Sequence, residues 1–173
     1  MASQWQIFLA NLGAWQGPFT SISPTGTVLK DTPSLLSLEA AEQNAEGAIS
    51  MVRFRLQRFE GGDRSAPPSS DLCQEYRSLG RQVVFFDTGS FCKGSLQLAP
   101  GTVFGGEFGV VHGDRRHRLV LLYSEAGRAD QLVLIREFRV GSAAQECRRS
   151  RPSRCRGRGT ALPPPFPPTG PSR

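Results

Sequence analysis

The sequence predicts an all-β fold, an antiparallel up-and-down β-barrel with a short N-terminal helix. The first observation is a series of about nine short apolar segments separated by Gly, Pro, Asn, Asp and Ser, which is typical of sandwiches and barrels. The second is the lack of long amphipathic helical patterns, which argues against an α/β fold. Among all-β solutions, a closed meander leaves no exposed sheet edge. A barrel of about eight strands has room for one small ligand.

The predicted helix covers residues 3–12. Ser3 is a suitable N-cap, and the large apolar residues that follow recur at helical spacing. Gly13 ends the helix. The chain then passes Trp15 and the Gly17-Pro18 pair, where it enters the first strand.

The strands are predicted from alternation and from turn residues between apolar runs. Val52, Phe54 and Leu56 alternate with polar side chains, so one face of that strand is buried and the other solvated. A turn at 23–26 and a hairpin turn around Gly127 connect neighbouring strands. The predicted strands after the first are 27–38, 49–59, 83–86, 91–98, 102–111, 115–123 and 132–140.

Composition divides the chain into a barrel domain, residues 1–141, and an Arg/Pro-rich tail, residues 142–173. Residues 1–146 hold 14 basic and 15 acidic residues, whereas 147–173 hold seven Arg and no acid. The near-neutral barrel gives no support for nucleic-acid binding. The tail is expected to be disordered and to be an alternative C-terminus, because it cannot bury a core. Weak RNA binding by its arginines, docking of its prolines in an aromatic groove, or no function remain open for it.

The cysteines, the apolar runs and the first residues indicate the cellular compartment of the protein. The four Cys show no metal-ligand spacing, and we expect free thiols in a reducing compartment. No run of about 18 apolar residues is present, and no membrane span is expected. The first residues lack the features of a secretory signal, which predicts a cytoplasmic protein.

Four segments in order resemble an uncharacterised lipocalin-like domain family of plants and cyanobacteria, within the calycin superfamily. They are NLGAWQGPFT at 11–20, DTPSLLSLE at 31–39, RRHRLV at 115–120 and LIREFR at 134–139. The resemblance covers about residues 4–141 and implies a calycin barrel. The phycobiliprotein chromophore lyases are distant relatives within the superfamily, so the resemblance also implies a tetrapyrrole or lipid-like ligand. It makes a chloroplast the alternative location. Family members often carry a further barrel-like region downstream, where this chain has its tail.

The resemblance also implies a barrel-closing contact. Lipocalin-like barrels place a basic residue of the last strand across the first-strand Trp, here Trp15, in a cation–π contact. Arg136 and Arg139 are the candidates, and they point to opposite faces. Arg136 shares its face with apolar residues of the strand, and it is therefore predicted to pack on Trp15.

The basic run at 115–118 has two interpretations. Arg116 and Arg118 could form a rim that binds ligand carboxylates, or a solvated strand end with one Arg paired to Glu107 or Glu137. For the two acids, pairing with arginine is favoured over acid–base catalysis.

No catalytic residue and no metal site is predicted. His112 and His117 are separated by a turn at Gly113-Asp114 and are not expected to share a metal. Cys73 and Cys92 have no histidine in a partner context for nucleophilic catalysis.

Three functions are compatible with the sequence. The leading hypothesis is a non-enzymatic binder of a small apolar or amphipathic ligand, either a tetrapyrrole or lipid-like. The alternative is a chromophore-lyase-like enzyme or assembly factor, and the third is a structural barrel without a ligand. The predicted ligand-binding residues are Phe54, Phe85, Phe104, Phe108, Arg116, Arg118 and Tyr123.

Overall fold

The computed structural model describes residues 2–95 and 101–146, which form one nine-stranded antiparallel sheet with a short helix in front. This confirms the predicted all-β up-and-down fold. The helix α1 covers Gln4–Phe8, and a 3-10 turn covers Leu9–Asn11. The strands are β1 Gly13–Ile22, β2 Val28–Gln43, β3 Ile49–Arg58, β4 Ser70–Tyr76, β5 Val83–Phe85, β6 Phe91–Gly94, β7 Phe104–His112, β8 Arg115–Tyr123 and β9 Ala129–Arg139.

The sheet is a meander in which the first and last strands are neighbours. Its order is β4-β3-β2-β1-β9-β8-β7-β6-β5. Neighbours in sequence therefore pair with each other except β4 and β5, and β1 also pairs with β9. Strands β4 and β5 form the two edges, so the sheet is a half-barrel with a seam between them. Side chains alternate between a concave inner face and an outer face.

The N-terminal helix lies against both edges of the seam. Gln4 bonds the backbone of β5 twice: its Oε1 accepts from the Phe85 N–H (2.7 Å) and its Nε2 donates to the Phe85 carbonyl (3.0 Å). The Phe8 ring packs on Phe85 (centroids 5.3 Å apart) and on Tyr76 of β4 (6.2 Å). These contacts cover an edge that would otherwise be open to pairing with another chain.

Local sequence explains where this helix begins and ends. Ser3 and Gln6 form a capping box, in which each side chain bonds the other residue's backbone N–H. Gly13 follows the 3-10 turn at φ +116°, a conformation that L side chains rarely adopt. The predicted helix is thus confirmed, with its last turn wound as 3-10.

Strand β1 approaches β9 closely at Gly17. A Cβ on Gly17 would lie 1.8 Å from the backbone carbonyl oxygen of Arg136, so only glycine fits there. The β1–β9 register pairs Gln16 with Phe138 and resumes at Phe19 with Ile135. The Gly17-Pro18 pair therefore lies at a break in this ladder.

Several predicted boundaries differ from the structure. Strand β4 was not predicted, because all its residues but Tyr76 are exposed and it shows no apolar alternation. Strand β2 extends beyond 38 to Gln43. The prediction for 91–98 holds for β6, and residues 96–100 lie outside the described residues. So does the tail from 147 onward.

Candidate functional site

Trp15 forms the centre of the core at the start of β1. Its side chain is fully buried (0 % exposed), and its Nε1–H donates to the Asn11 carbonyl at 2.9 Å. Two guanidinium groups lie over the indole ring, Arg139 at 4.3 Å and Arg116 at 4.5 Å from the ring to Cζ. The predicted cation–π contact with the last strand is therefore made by Arg139, with a second arginine from β8.

The prediction that Arg136 packs on Trp15 is wrong, because it assigned the inner face of β9 incorrectly. Arg139 lies directly opposite Trp15 in the β1–β9 register, so these two side chains share a face. Arg136 lies on the outer face, where its Nη2 donates to the Thr20 hydroxyl (3.1 Å) and pairs with Glu146 (3.3 Å). The charged face of β9 points inward.

Next to Trp15, the inner face carries a buried ion-pair network. Glu137 accepts from Arg116 Nε at 2.7 Å and from Arg118 Nη2 at 2.7 Å. Arg118 Nη1 also donates to Glu107 Oε1 at 2.8 Å, and Lys93 Nζ lies 3.1 Å from Glu107 Oε2. Pairing of the two acids with arginine is thereby confirmed. Of the two interpretations of the basic run, the solvated strand end is wrong for Arg116 (2 % exposed) and Arg118 (8 % exposed).

The network keeps its carboxylates ionised. Burial by itself would raise the pKa of Glu107, but Arg118 and Lys93 hold it below its usual value. The pKa of Glu137 is likewise lowered, because Arg118 and Arg116 outweigh burial. Burial would lower the pKa of Arg118, and its two acidic partners raise it instead. Glu107, Glu137 and Arg118 therefore act as fixed charges at neutral pH.

Arg116 has an incomplete set of hydrogen bonds. Its Nη1 donates to Asn11 Oδ1 (3.3 Å), and Asn11 Nδ2 in turn donates to the Gly89 carbonyl (2.9 Å). Burial lowers the pKa of Arg116, with Glu137 opposing that effect. Its Nη2 is shielded from solvent and has no hydrogen-bond partner among the described residues. A buried donor without a partner is costly and calls for a reason.

A cavity of about 350 Å³ lies on the inner face between the helix, β2–β4 and β5–β8. One part of its wall is apolar and includes Phe8, Leu36, Leu38, Phe54, Leu79 and Phe85. Another part is charged and consists of Lys93, Glu107, Arg116 and Arg118. An open depression of about 600 Å³ adjoins it and shares the lining residues Gln82, Lys93 and Glu107. The inner face thus offers an apolar pocket with a basic side.

The predicted wall residues divide between this cavity and other surfaces. Phe54 and Phe85 line the cavity, as do Arg116 and Arg118. Phe104 lines the adjoining depression, and Tyr123 stacks on it with the ring centroids 4.7 Å apart. Tyr123 is not among the lining residues of either space.

The placement of Phe108 in the wall is wrong. It is 58 % exposed and lies on the outer face, opposite Cys92 and Leu119. The preceding residue, Glu107, points inward instead, because its carboxylate belongs to the buried ion-pair network.

Sequence reasoning missed several lining residues. Two of them are Leu36 and Leu38 of β2. They lie opposite Leu56 and Phe54 on β3, whose apolar alternation was recognised, and pairing the two strands would have identified them. Nothing in the sequence marked Lys93 as a lining residue, since a lone lysine in a short strand is usually solvated.

Both histidines, together with Cys73 and Cys92 of the described residues, lie away from the cavity. His112 and His117 belong to adjacent strands of a hairpin whose turn is at Gly113, as predicted, and both are exposed. Cys73 and Cys92 are free thiols, paired in register with Arg55 and Phe108. Across residues 2–95 and 101–146, no three His, Cys, Asp or Glu side chains are grouped so as to hold a metal ion. Nor does any helix in those ranges have the length and apolar character needed to cross a bilayer.

The sheet order, the inner cavity and the short leading helix fit a lipocalin-like up-and-down barrel. The chain belongs to the DUF3598 family: residues 1–142 match the domain described as "Domain of unknown function (DUF3598), N-terminal". The search of curated proteins returned no match.

Several solved structures are similar to the chain, among them the following two. The first is a protein of unknown function from the DUF3598 family of Nostoc punctiforme, 43 % identical, with a TM-score of 0.69 over 82 % of this chain and 48 % of that one. The chain therefore spans about half the length of this relative. The second is the S-type phycobiliprotein lyase CPES of Guillardia theta, 12 % identical, with a TM-score of 0.54 over 82 % of this chain and 94 % of the lyase. At that identity the likeness concerns the fold alone.

Proposed function

We propose that this domain is a non-enzymatic binder that holds a small amphipathic ligand, tetrapyrrole or lipid-like, in the cavity of the inner face. The observation that carries the proposal is the pairing of an apolar wall with a buried basic cluster in one cavity. Ligand pockets are typically apolar, with a few convergent polar groups that fix orientation.

The apolar wall of the cavity contacts the apolar part of the ligand. Phe8 and Phe85 form a packed aromatic pair, and Phe54 lies 6.0 Å from Tyr76 between ring centroids. These rings offer flat apolar surface to a conjugated or aliphatic group. The basic side, with Lys93 nearest to solvent, accounts for a polar end.

The size of the cavity agrees with a small ligand. Its volume of about 350 Å³ lies near the lower end of the range of about 300–1,000 Å³ for small-molecule sites. A fatty acid would fit within it. A tetrapyrrole would extend past Lys93 and Glu107 into the adjoining depression.

A second candidate is that the domain passes a tetrapyrrole to an acceptor protein. The fold likeness to a phycobiliprotein lyase favours it. Against it, the described residues of the cavity lining include no Cys or His, and their one carboxylate, Glu107, is held by Arg118 and Lys93. The third candidate is a purely structural barrel.

Titration of the full 173-residue chain with biliverdin, haemin and laurate separates the three. Saturable 1:1 quenching of the fluorescence of Trp5 and Trp15, reversed by dilution, is the expected result for at least one of them. Failure of all three ligands to bind would overturn the proposal in favour of a structural barrel. Covalent transfer of biliverdin to a phycobiliprotein apo-subunit would replace it with the second candidate.

A further inference from the structure

The charges around the cavity do not balance. Lys93, Arg116 and Arg118 carry three positive charges, and Glu107 and Glu137 carry two negative ones. Within the described residues, the ion pairs made by these five side chains stay inside the group, as the four contacts of 2.7–3.1 Å show. One positive charge is therefore left at the wall of a partly apolar cavity. The buried arginines and carboxylates balance each other, so the excess charge belongs to Lys93, which attracts an anion to the solvent-facing side of the cavity.

Lys93 is the cation of the group that a ligand can reach. Arg116 and Arg118 are almost fully buried, whereas about half of the Lys93 side chain is exposed (52 %). Its ammonium group has three N–H donors and, among residues 2–95 and 101–146, one carboxylate partner, Glu107, at 3.1 Å. Lys93 also lines both the cavity and the adjoining depression, so it lies at their junction.

Arg116 supplies a second, independent observation. It lines the same cavity, and its buried Nη2 lacks an acceptor within the part of the chain that the structure describes. A carboxylate in the cavity would supply the missing negative charge and, with a small side-chain shift, the missing acceptor. Neither an ester nor an alcohol would supply the charge.

We infer that the ligand bound under the proposed function carries a carboxylate, which lies at the junction of cavity and depression between Lys93 and the cavity wall formed by Arg116. The apolar end of the ligand then points to Leu36, Leu38 and Phe54. One carboxylate neutralises the group, so a second one would have to reach solvent through the depression. This assignment rests on the proposed function and narrows it to acidic amphiphiles.

Pairs of ligands that differ only at the carboxyl group test the inference without altering the protein. The full chain is titrated with laurate, lauryl alcohol and methyl laurate, and with biliverdin and its dimethyl ester. We expect at least one free acid to bind at least tenfold more tightly than its neutral counterparts, because a charge-assisted contact is lost in them. Equal affinities for acid and ester would overturn the inference and leave the proposed function standing. No binding of any of these ligands would overturn the proposed function itself.

Variants of Lys93 locate the carboxylate. In Lys93→Gln the preference for acid over ester should fall to less than threefold, and in Lys93→Arg it should be retained. Lys30→Gln removes the same charge from an exposed lysine that pairs with Glu60 outside the cavity, and it should keep the wild-type preference. An undiminished acid preference in a folded Lys93→Gln protein would contradict this placement.

Discussion

Glu137 and Arg118 form a bidentate ion pair on the inner face of the sheet, with Nη2–Oε1 and Nε–Oε2 distances of 2.7 and 3.0 Å. The Glu137 side chain is fully buried. Arg116, two residues before Arg118 on β8, binds the same carboxylate. The pair therefore ties β8 to β9 where a barrel core would ordinarily be apolar. A buried pair of this kind is strongly unfavourable to break, because the partner left behind is an unpaired charge.

Glu137→Ala should destabilise the protein severely. Two buried guanidinium groups lose their main acceptor, which costs about 3–5 kcal/mol and lowers Tm by roughly 10 °C. Thermal unfolding followed by circular dichroism measures the change. Glu60→Gln, which breaks the exposed pair with Lys30, is the control and should leave Tm unchanged. Similar Tm values for both variants would contradict the structural role of the network.

Stability should fall in acid because of the two buried carboxylates. The folded-state pKa values of Glu107 and Glu137 lie below the ordinary value of 4.5, so the folded state binds fewer protons than the unfolded state. Their contribution is complete above about pH 4.5 and is lost as the pH falls through the folded-state values. Urea unfolding at pH 7, 5, 4 and 3 should show this decline, and it should persist in 0.5 M NaCl because buried pairs are weakly screened. If the loss of stability in acid disappears in 0.5 M NaCl, it arises from exposed ion pairs and not from Glu107 and Glu137.

Arg139→Ala should loosen the closure of the barrel. The substitution removes a guanidinium from the face of Trp15 and a side-chain hydrogen bond to the Leu12 carbonyl, together about 2–3 kcal/mol. The emission of Trp15 should also change, since one of the two cations over its ring is removed. Arg136→Ala is the matched change on the outer face and should leave that emission unaltered. If Arg136→Ala changed the Trp15 emission and Arg139→Ala did not, Arg136 would be the residue that packs on Trp15.

Gly17→Ala should prevent normal pairing of β1 with β9. The added methyl group would collide with backbone atoms of Arg136 and Glu137, which cannot move aside as a flexible side chain can. We expect a loss of about 3 kcal/mol or more in the free energy of unfolding, or failure to fold. Gly61→Ala is the control, because a Cβ there meets no atom within 4 Å. Equal stability of the two variants would show that the strands do not approach as described.

The sequence was sufficient for the fold class, because turn residues and apolar runs mark most strands directly. Gly13 and the turn at Gly113 were predicted at the positions where the backbone needs a positive φ. Strand β4 could not be found in this way, since an exposed edge strand needs no apolar alternation. Its existence depends on the hydrogen bonds that β3 offers to it.

The candidate site was predictable only in part, because its inner face is charged. Hydrophobic alternation locates a buried face when the core is apolar, and by that rule Arg136 was placed inside. Phe108 was proposed for the wall as an aromatic residue, without a register to place it. In β7–β9 the buried positions instead hold Glu107, Arg118 and Glu137, which are stable there only as a mutually paired group. Such pairing joins residues from three strands, and a single sequence does not display the register that brings them together.

Filling the cavity is the most direct test of its role as the ligand site. Leu79→Trp enlarges a half-buried side chain that lines the cavity, and Val84→Trp adds the same group to the exposed outer face of β5. The measurement is the Kd of the full chain for biliverdin and laurate by isothermal titration calorimetry. Binding weakened at least tenfold by Leu79→Trp and unchanged by Val84→Trp is the predicted result. Equal affinity of wild type and a folded Leu79→Trp variant would contradict ligand binding on the inner face.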